Sequence, residues 1–390
     1  MNKSLGYYTV NNKKFESKIH ALIEATKSKK KVKWIFNDEV FENFNWSVEP
    51  QESLDQLYDQ RARDLREKYD YLVLCYSGGS DSNNILEAFI RQGLLIDEIV
   101  TNFIIDGAKP ITNSNITNQR AENHNAEWDL LTKGRMQYIY TNMPGVKISN
   151  FDMSKPILEH FNNHQDGSWI LKCREWANPM STARYNIIYD TALRKKFDQD
   201  RKVGVILGVD KPYLMIADNH LYIQFVDTTA NITPITEHIK SYDNTTVEFF
   251  YWSPDSVKLL CKQAHVMLKY LRLNSNFRKL WDINDMTSRV LSSRTLRENI
   301  LKQVIYTTWN NEWFQAEKGT IGWTNVNDRW FFEYFKDSVE YTAWKNGIQY
   351  LFNNISPDFM ASLNNTSGSF EKFKAMMSSS YYIGKIDNAQ

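Results

Sequence analysis

Tyr71-Leu72-Val73-Leu74-Cys75-Tyr76-Ser77-Gly78-Gly79-Ser80-Asp81-Ser82 is the stretch on which the reading of this chain turns. Its first six residues form an unbroken apolar run, the pattern of a parallel strand buried on both faces. The next six contain two glycines and three serines. A helical pattern follows, with Ile85, Leu86, Phe89 and Ile90 apolar and Gly93 as its stop. A second strand, Glu98 to Ile105, ends at Asp106. Strand, glycine-rich turn, helix, strand is a βαβ unit. The turn sits where a ligand is expected in an open parallel sheet.

Gly78 and Gly79 let backbone amides approach a ligand with no Cβ in the way. The turn opens onto a helix N-terminus, whose free N–H groups and dipole favour an anion. Ser77, Ser80 and Ser82 add hydroxyl donors. These features suit phosphate or pyrophosphate. Asp81 has two readings: a cap on the helix, or a holder of Mg²⁺ that bridges phosphate oxygens. The turn is not a Walker A loop, because no GxxxxGK[ST] and no adjacent Lys are present. An ordinary tight turn would explain neither the paired glycines nor the three serines.

Ser-Gly-Gly-Ser-Asp-Ser after an apolar strand resembles the PP-loop, SGGxDS, of the N-type ATP pyrophosphatases (adenine nucleotide alpha hydrolases). That superfamily includes asparagine, GMP, NAD and argininosuccinate synthetases and tRNA-thiolating enzymes. The chain is also similar to uncharacterised PP-loop proteins of tailed phages. The resemblance covers about Tyr71–Thr228 at the level of fold, and only the six-residue motif is specific. It implies an α/β fold with a doubly wound, mostly parallel HUP-like sheet. It also implies ATP and Mg²⁺ as cofactors, with Ser77, Gly78, Gly79, Ser80, Asp81 and Ser82 around the β/γ-pyrophosphate. Cleavage between the α- and β-phosphates would leave AMP on a substrate oxygen, for nitrogen or sulfur to displace.

Other groups are placed by the same sheet logic. Leu207-Gly208-Val209-Asp210-Lys211-Pro212 follows another buried strand, Lys202 to Val209. Lys211 is a candidate to neutralise charge on the α-phosphate or on leaving pyrophosphate. Asp210 is a candidate Mg²⁺ ligand or an orienting partner for Lys211. The ordinary alternative is a surface turn with a proline exit. Arg184, near a helix start at Ser181, opposes the dipole and so points to an anionic partner; a solvated Arg fits equally well. Asp106 is a candidate contact to adenine or ribose. Arg120, Glu122 and His124 lie on an expected loop and read first as surface. Lys172-Cys173-Arg174-Glu175-Trp176 is a weaker candidate pocket lining. His265 falls off an apolar helical stripe; a ligand contact is one reading and a solvated side chain the ordinary one.

Outward from the motif, the 390 residues suit two to three domains. Residues 1–68 read as a small α+β lead-in, 69–235 as the ATP pyrophosphatase domain, and 236–390 as a mostly helical region. Strands are expected at Tyr7–Val10 and Val32–Phe36, and a helix capped by Ser53. A strand is expected around Met136–Tyr140 and a hairpin over Tyr213–Val226. Helices are expected from Ser253, over Thr287–Tyr306 and over Asp328–Phe352. The tail from Ser362 reads as partly loose. The cluster from Trp330 to Phe335 reads as core or an oligomer surface rather than a base-stacking platform.

Composition narrows the function. Lys plus Arg number 47 and Asp plus Glu 46, a net charge of +1, so no global field draws the chain to nucleic acid. The densest cationic run, Lys27 to Lys33, reads as a solvated face. No apolar run approaches the ~18 residues of a membrane span. The start, Met1-Asn2-Lys3-Ser4, lacks a signal peptide's apolar core. Three dispersed cysteines, Cys75, Cys173 and Cys261, fit a reducing compartment. A cytoplasmic protein is expected, in the host cytoplasm if phage-encoded. Sulfur transfer is disfavoured, because Cys173 has no evident resolving partner. Met1-Asn2 does not match relatives that hydrolyse glutamine through an N-terminal cysteine. A nitrogen donor would then be free ammonia, an amine substrate, or ammonia from a separate partner. The expected activity is Mg-ATP-dependent adenylation of a carboxylate or amide-like oxygen, a ligase-like reaction. The alternatives are a nucleotide-binding module without catalysis, and an enzyme modifying a nucleobase in tRNA or DNA.

Overall fold

The computed structural model describes residues 6–104, 128–172, 201–209, 211–227, 244–281, 293–310, 330–332, 334–355 and 376–387. In chain order the elements are β1 (Tyr7–Val10), β2 (Lys13–Phe15), α1 (Lys18–Ser28), β3 (Lys33–Ile35), α2 (Asp38–Phe41), α3 (Leu54–Lys68), β4 (Tyr71–Cys75), α4 (Ser80–Arg91) and β5 (Glu98–Phe103). A π-helical turn over Trp128–Thr132 leads into α5 (Lys133–Asn142), β6 (Lys147–Asp152) and α6 (Ser154–Asn162). Then come β7 (Val203–Leu207), β8 (Tyr213–Ala217), β9 (His220–Gln224), β10 (Thr245–Phe249), α7 (Val257–Leu273), α8 (Ser275–Arg278), α9 (Ser293–Ile305), α10 (Val339–Asn354) and β11 (Tyr381–Lys385).

The centre is a five-stranded sheet in the order β10-β7-β4-β5-β6. All its pairings are parallel. Every residue of β5 and β7 is buried, as strands covered on both faces require. The chain is thus α/β, with a parallel sheet flanked by helices, an arrangement consistent with double winding. From β4 the chain adds β5 and β6 on one side, then β7 and β10 on the other. The direction reverses between β4 and β7, and a ligand crevice belongs outside the carboxyl ends of these two strands. Cys75, the last residue of β4, is in register with Leu207, the last of β7. Their exit loops therefore leave side by side.

Two antiparallel sheets of three strands, β2-β1-β3 and β11-β9-β8, accompany the central one. Asn11 and Asn12 (φ 47° and 65°) turn the first hairpin, and Asp218 and Asn219 (φ 47° and 62°) the second. Both central residues have positive φ, as two-residue hairpin loops favour. An aromatic cluster joins the layers. Phe41 stacks on Phe225 at 4.7 Å, Phe225 meets Trp252 edge-on at 5.0 Å, and Phe36 reaches Phe249 of β10 at 6.4 Å. Ser53 caps α3 in a reciprocal box with Gln56. Arg61 of α3 binds Glu248 of β10 at 3.1 Å, with both side chains buried.

Several expectations are corrected. Met136–Tyr140 is helical, within α5: Arg135 and Tyr138 of one face both bind Glu87 of α4. The strand of this region is β6, whose residues are only partly buried; among the described residues it has one sheet neighbour, β5. The sheet also extends past residue 235, because β10 supplies its other edge. The tail is not loose over 381–387: β11 pairs with β9 and buries Tyr381, Ile383 and Ile386. His265 is buried rather than solvated, and its Nε2 lies 3.0 Å from the Trp46 carbonyl oxygen. The expected helix over Asp328–Phe352 is interrupted before Ser338, whose side chain accepts from Tyr341 N–H to start α10. Phe331 and Phe332 are core rings against Phe161 and Trp344. No helix among the described residues is long and apolar enough to cross a membrane.

Candidate functional site

The Ser77–Ser82 segment occupies the crevice position at the end of β4. It is internally braced: Ser82 Oγ donates to Gly79 O at 3.2 Å and accepts from Ser77 N–H at 3.3 Å. Gly79 N–H donates to Ser77 Oγ at 3.4 Å. Gly79 is the N-cap residue of α4 and offers no side-chain cap. Asp81 lies in the first turn, where its charge suits the dipole. It does not form the capping hydrogen bond that was one of its two readings.

Gly78 needs its missing side chain. Its φ is +77°, and a Cβ there would sit 2.6 Å from Thr132 Oγ1 and 3.0 Å from Thr132 Cα. Gly78→Ala should therefore cost about 1–2 kcal/mol in backbone strain alone, with a steric clash added. We expect a lower unfolding midpoint and a displaced loop. A Gly78→Ala protein with unchanged stability and ligand affinity would contradict this account.

The second exit loop packs against the first. A Cβ on Gly208 would lie 3.2 Å from Ser82 N and 3.3 Å from Ile85 Cδ1, so the chain leaving β7 runs against the start of α4. This brings Lys211 close enough to act electrostatically on Asp81. The two regions selected from the sequence thus meet at one place.

A third contribution comes from the C-terminal region. Lys302 Nζ of α9 is 3.3 Å from Asp81 Oδ2, with the Lys302 side chain 12% exposed and that of Asp81 26%. Tyr306 donates a short hydrogen bond to Asp81 Oδ1. Tyr251, just beyond β10, donates to the Asp81 backbone oxygen at 2.8 Å and accepts from Asn84 Nδ2 at 3.1 Å. Burial by itself would raise the Asp81 carboxyl. The charges of Lys302 and Lys211 and the Tyr306 hydrogen bond outweigh it and hold the group below the usual carboxylate value. Burial, and then the Asp81 charge, push the Tyr306 hydroxyl well above its usual range, so it stays a proton donor at neutral pH.

Lys302, Tyr306 and Tyr251 are the residues the sequence reading missed. Lys302 and Tyr306 are four apart, so a helix places them on one face. That signal was present, but nothing in it says which partner the face meets. Their position is fixed by packing: the hydroxyl of buried Tyr58 donates to Ile305 O at 2.9 Å and accepts from Gln263 Nε2 at 2.9 Å.

Asp210, Asp106 and Arg184 lie outside the described residues, as do Arg120, Glu122, His124, the segment 173–176 and the helix expected from Ser181. No cluster of three or more His, Cys, Asp or Glu suited to a metal occurs among the described residues. Mg²⁺ needs no such cluster, because it keeps waters and takes one or two carboxylates beside phosphate oxygens. Asp81 provides one such hard oxygen donor. Bound there, Mg²⁺ would supply neutralisation of phosphate charge.

The arrangement can therefore receive an anion. It offers a helix N-terminus, the amides and hydroxyls of a glycine-rich loop that is partly to fully buried, and two lysines from separate elements that act on one carboxylate. No protein-family model matches the chain, and no curated protein matches it.

Proposed function

We propose that this protein is an ATP pyrophosphatase of the PP-loop type with a HUP-like sheet. It would activate a carboxylate or amide-like oxygen of an acceptor as its adenylate, for amide or amidine formation. The observation that carries the reading is the convergence at the β4/β7 switch point. The Ser77–Ser82 loop carries one carboxylate there, Asp81, which Lys302 meets at 3.3 Å and on which Lys211 also acts electrostatically. Neither the loop alone nor a lysine alone would favour a triphosphate over other anions. The strand sequence, read from β6 to β10, follows the order of dinucleotide-binding sheets, which place phosphates at this crevice.

In the reaction, an acceptor oxygen attacks the α-phosphorus. The bond from that phosphorus to the α–β bridging oxygen breaks, pyrophosphate leaves with the electron pair, and AMP remains on the acceptor oxygen. A nitrogen nucleophile then displaces AMP. The chain's own contribution is positioning and electrostatics. Loop amides and the Ser77 and Ser80 hydroxyls hold the β- and γ-phosphates. Lys211 and Lys302 meet the negative charge that grows on the leaving pyrophosphate. Asp81 holds the Lys302 ammonium by direct contact and attracts that of Lys211 through space.

The test uses α-labelled ATP, Mg²⁺ and a pooled small-molecule extract, with AMP, ADP and pyrophosphate separated. Extract-dependent AMP and pyrophosphate are expected. Lys211→Ala should reduce their release by roughly 10²–10³-fold. ADP as the main product, or full activity in Lys211→Ala, would refute the assignment. A second reading, a nucleotide-binding module without turnover, is favoured by one observation: the Asp81 carboxylate is already engaged by Lys302 and Tyr306. It predicts calorimetric ATP binding with no AMP formed under any acceptor.

A further inference from the structure

The π-helical turn over Trp128–Thr132 lies directly on the candidate phosphate loop. Thr132 Oγ1 donates to the Ser77 carbonyl oxygen at 2.7 Å, and Thr132 is fully buried. The same side chain fills the space where Gly78 would carry a Cβ. The turn is anchored on both sides. At its first residue, the ring of Trp128 packs 5.5 Å from Phe103, the last residue of β5. After it, Arg135 binds Asn83 Oδ1 at 2.6 Å and Glu87 Oε1 at 2.9 Å, both on α4. Tyr138 closes the set through Glu87 Oε2 at 2.8 Å. Thr132 is therefore held against the loop by contacts that reach the sheet on one side and α4 on the other.

The Ser77–Gly78 peptide is planar and trans, so its N–H points opposite to its carbonyl. Fixing the Ser77 oxygen on Thr132 fixes the direction of the Gly78 N–H, away from the 128–135 segment. We propose that Thr132 is a positioning residue for the phosphate loop: its hydroxyl sets the Ser77–Gly78 peptide so that the Gly78 N–H is presented to the pyrophosphate group of the nucleotide. This rests on the reading of the site as an ATP site. It adds that the segment following β5, and not the loop sequence alone, determines phosphate affinity. Without the hydroxyl the peptide is free to rotate, and an amide that had been pre-oriented must be ordered on binding.

Calorimetry on the full chain with Mg-ATP, and with inorganic pyrophosphate plus Mg²⁺, tests this. Thr132→Val keeps the shape and removes the hydroxyl; Thr132→Ser keeps the hydroxyl. We expect Thr132→Val to weaken both ligands by the same factor, about tenfold, while Thr132→Ser stays near wild type. Thr132→Ala serves if the valine protein does not fold, with the same loss expected. A purely structural Thr132 would lower the melting midpoint in Val or Ala without this shared loss of affinity. Unchanged affinity in folded Thr132→Val or Thr132→Ala overturns the proposal, as does an equal loss in Thr132→Ser. Failure of the wild-type protein to bind either ligand overturns the ATP-site reading and this inference with it, and that outcome is seen before any variant is made.

Discussion

Asp227→Ala should destabilise the protein by about 3–5 kcal/mol, the range for stripping one partner from a buried ion pair. Asp227 and Lys18 are both fully buried, with Lys18 Nζ 2.7 Å from Asp227 Oδ2. The same carboxylate accepts from the Tyr8 hydroxyl at 2.9 Å, and its other oxygen accepts from Met376 N–H at 2.9 Å. One side chain thus ties β1, α1 and the chain entering β11 to the end of the β8–β9 hairpin. Alanine would leave a buried ammonium, a buried phenol hydroxyl and a backbone N–H without this acceptor. The ion pair itself contributes little net stability, because burying two charges offsets their attraction. The double variant Lys18→Met, Asp227→Leu should therefore recover stability relative to Asp227→Ala, although the Tyr8 and Met376 donors still lack their acceptor. Denaturant unfolding measures this: the midpoint falls sharply for the single variant and partly returns for the double. A loss below about 1 kcal/mol for Asp227→Ala would mean that water or another group replaces the carboxylate.

This cross-link also shows why the sequence could be read in the middle and not at its ends. Strands β4 and β7 are continuous apolar runs bounded by turn residues, the usual form of a parallel strand buried on both faces; β5 is buried as well but carries Glu98, Thr101 and Asn102. The βαβ unit and the position of its loop followed from them. The edge strands are different. Lys147-Ile148-Ser149-Asn150-Phe151-Asp152 has one sheet neighbour among the described residues and a half-exposed, polar surface, so its strand character comes from pairing with β5 and not from its own pattern. β10 and β11 are strands for the same reason: their partners lie some 40 and 160 residues back in sequence, as the registers Val203↔Thr245 and Ile223↔Tyr381 show. At the site, the motif and Lys211 were legible because the ends of parallel strands define a crevice. Lys302 and Tyr306 were not, because a cation on an amphipathic helix looks like a solvated one until tertiary packing turns it inward. Asp81 drew attention in the sequence as an unusual acid in an anion loop. Lys302 and Tyr306 account for it: the carboxylate has local partners of its own.

That pairing makes the effects of Asp81 and Lys302 separable. Asp81→Asn removes a negative charge that faces Lys302 directly and acts on Lys211 through space. Binding of metal-free ATP should not weaken in this variant and should tighten at low ionic strength, since the lysines and the α4 N-terminus then act unopposed on the phosphates. On the proposed reading, release of AMP and pyrophosphate should nevertheless fall by roughly 10²–10³-fold, because Lys302 loses its contact partner and Mg²⁺ would lose a carboxylate donor. Lys302→Met has the opposite first effect. It leaves the Asp81 carboxylate with one lysine fewer beside it, so ATP binding should weaken as turnover falls. Calorimetry without Mg²⁺ at two salt concentrations, paired with the α-labelled ATP assay, reads both quantities. If both variants lose affinity together, the lysines do not meet the phosphates and Asp81 is only a structural partner of α9. If Asp81→Asn turns over at the wild-type rate, the catalytic centre lies elsewhere on the chain. Opposite changes in affinity with a common loss of turnover would identify Asp81, Lys211 and Lys302 as one electrostatic unit, assembled from the first strand loop, the fourth strand loop and a helix almost a hundred residues further on.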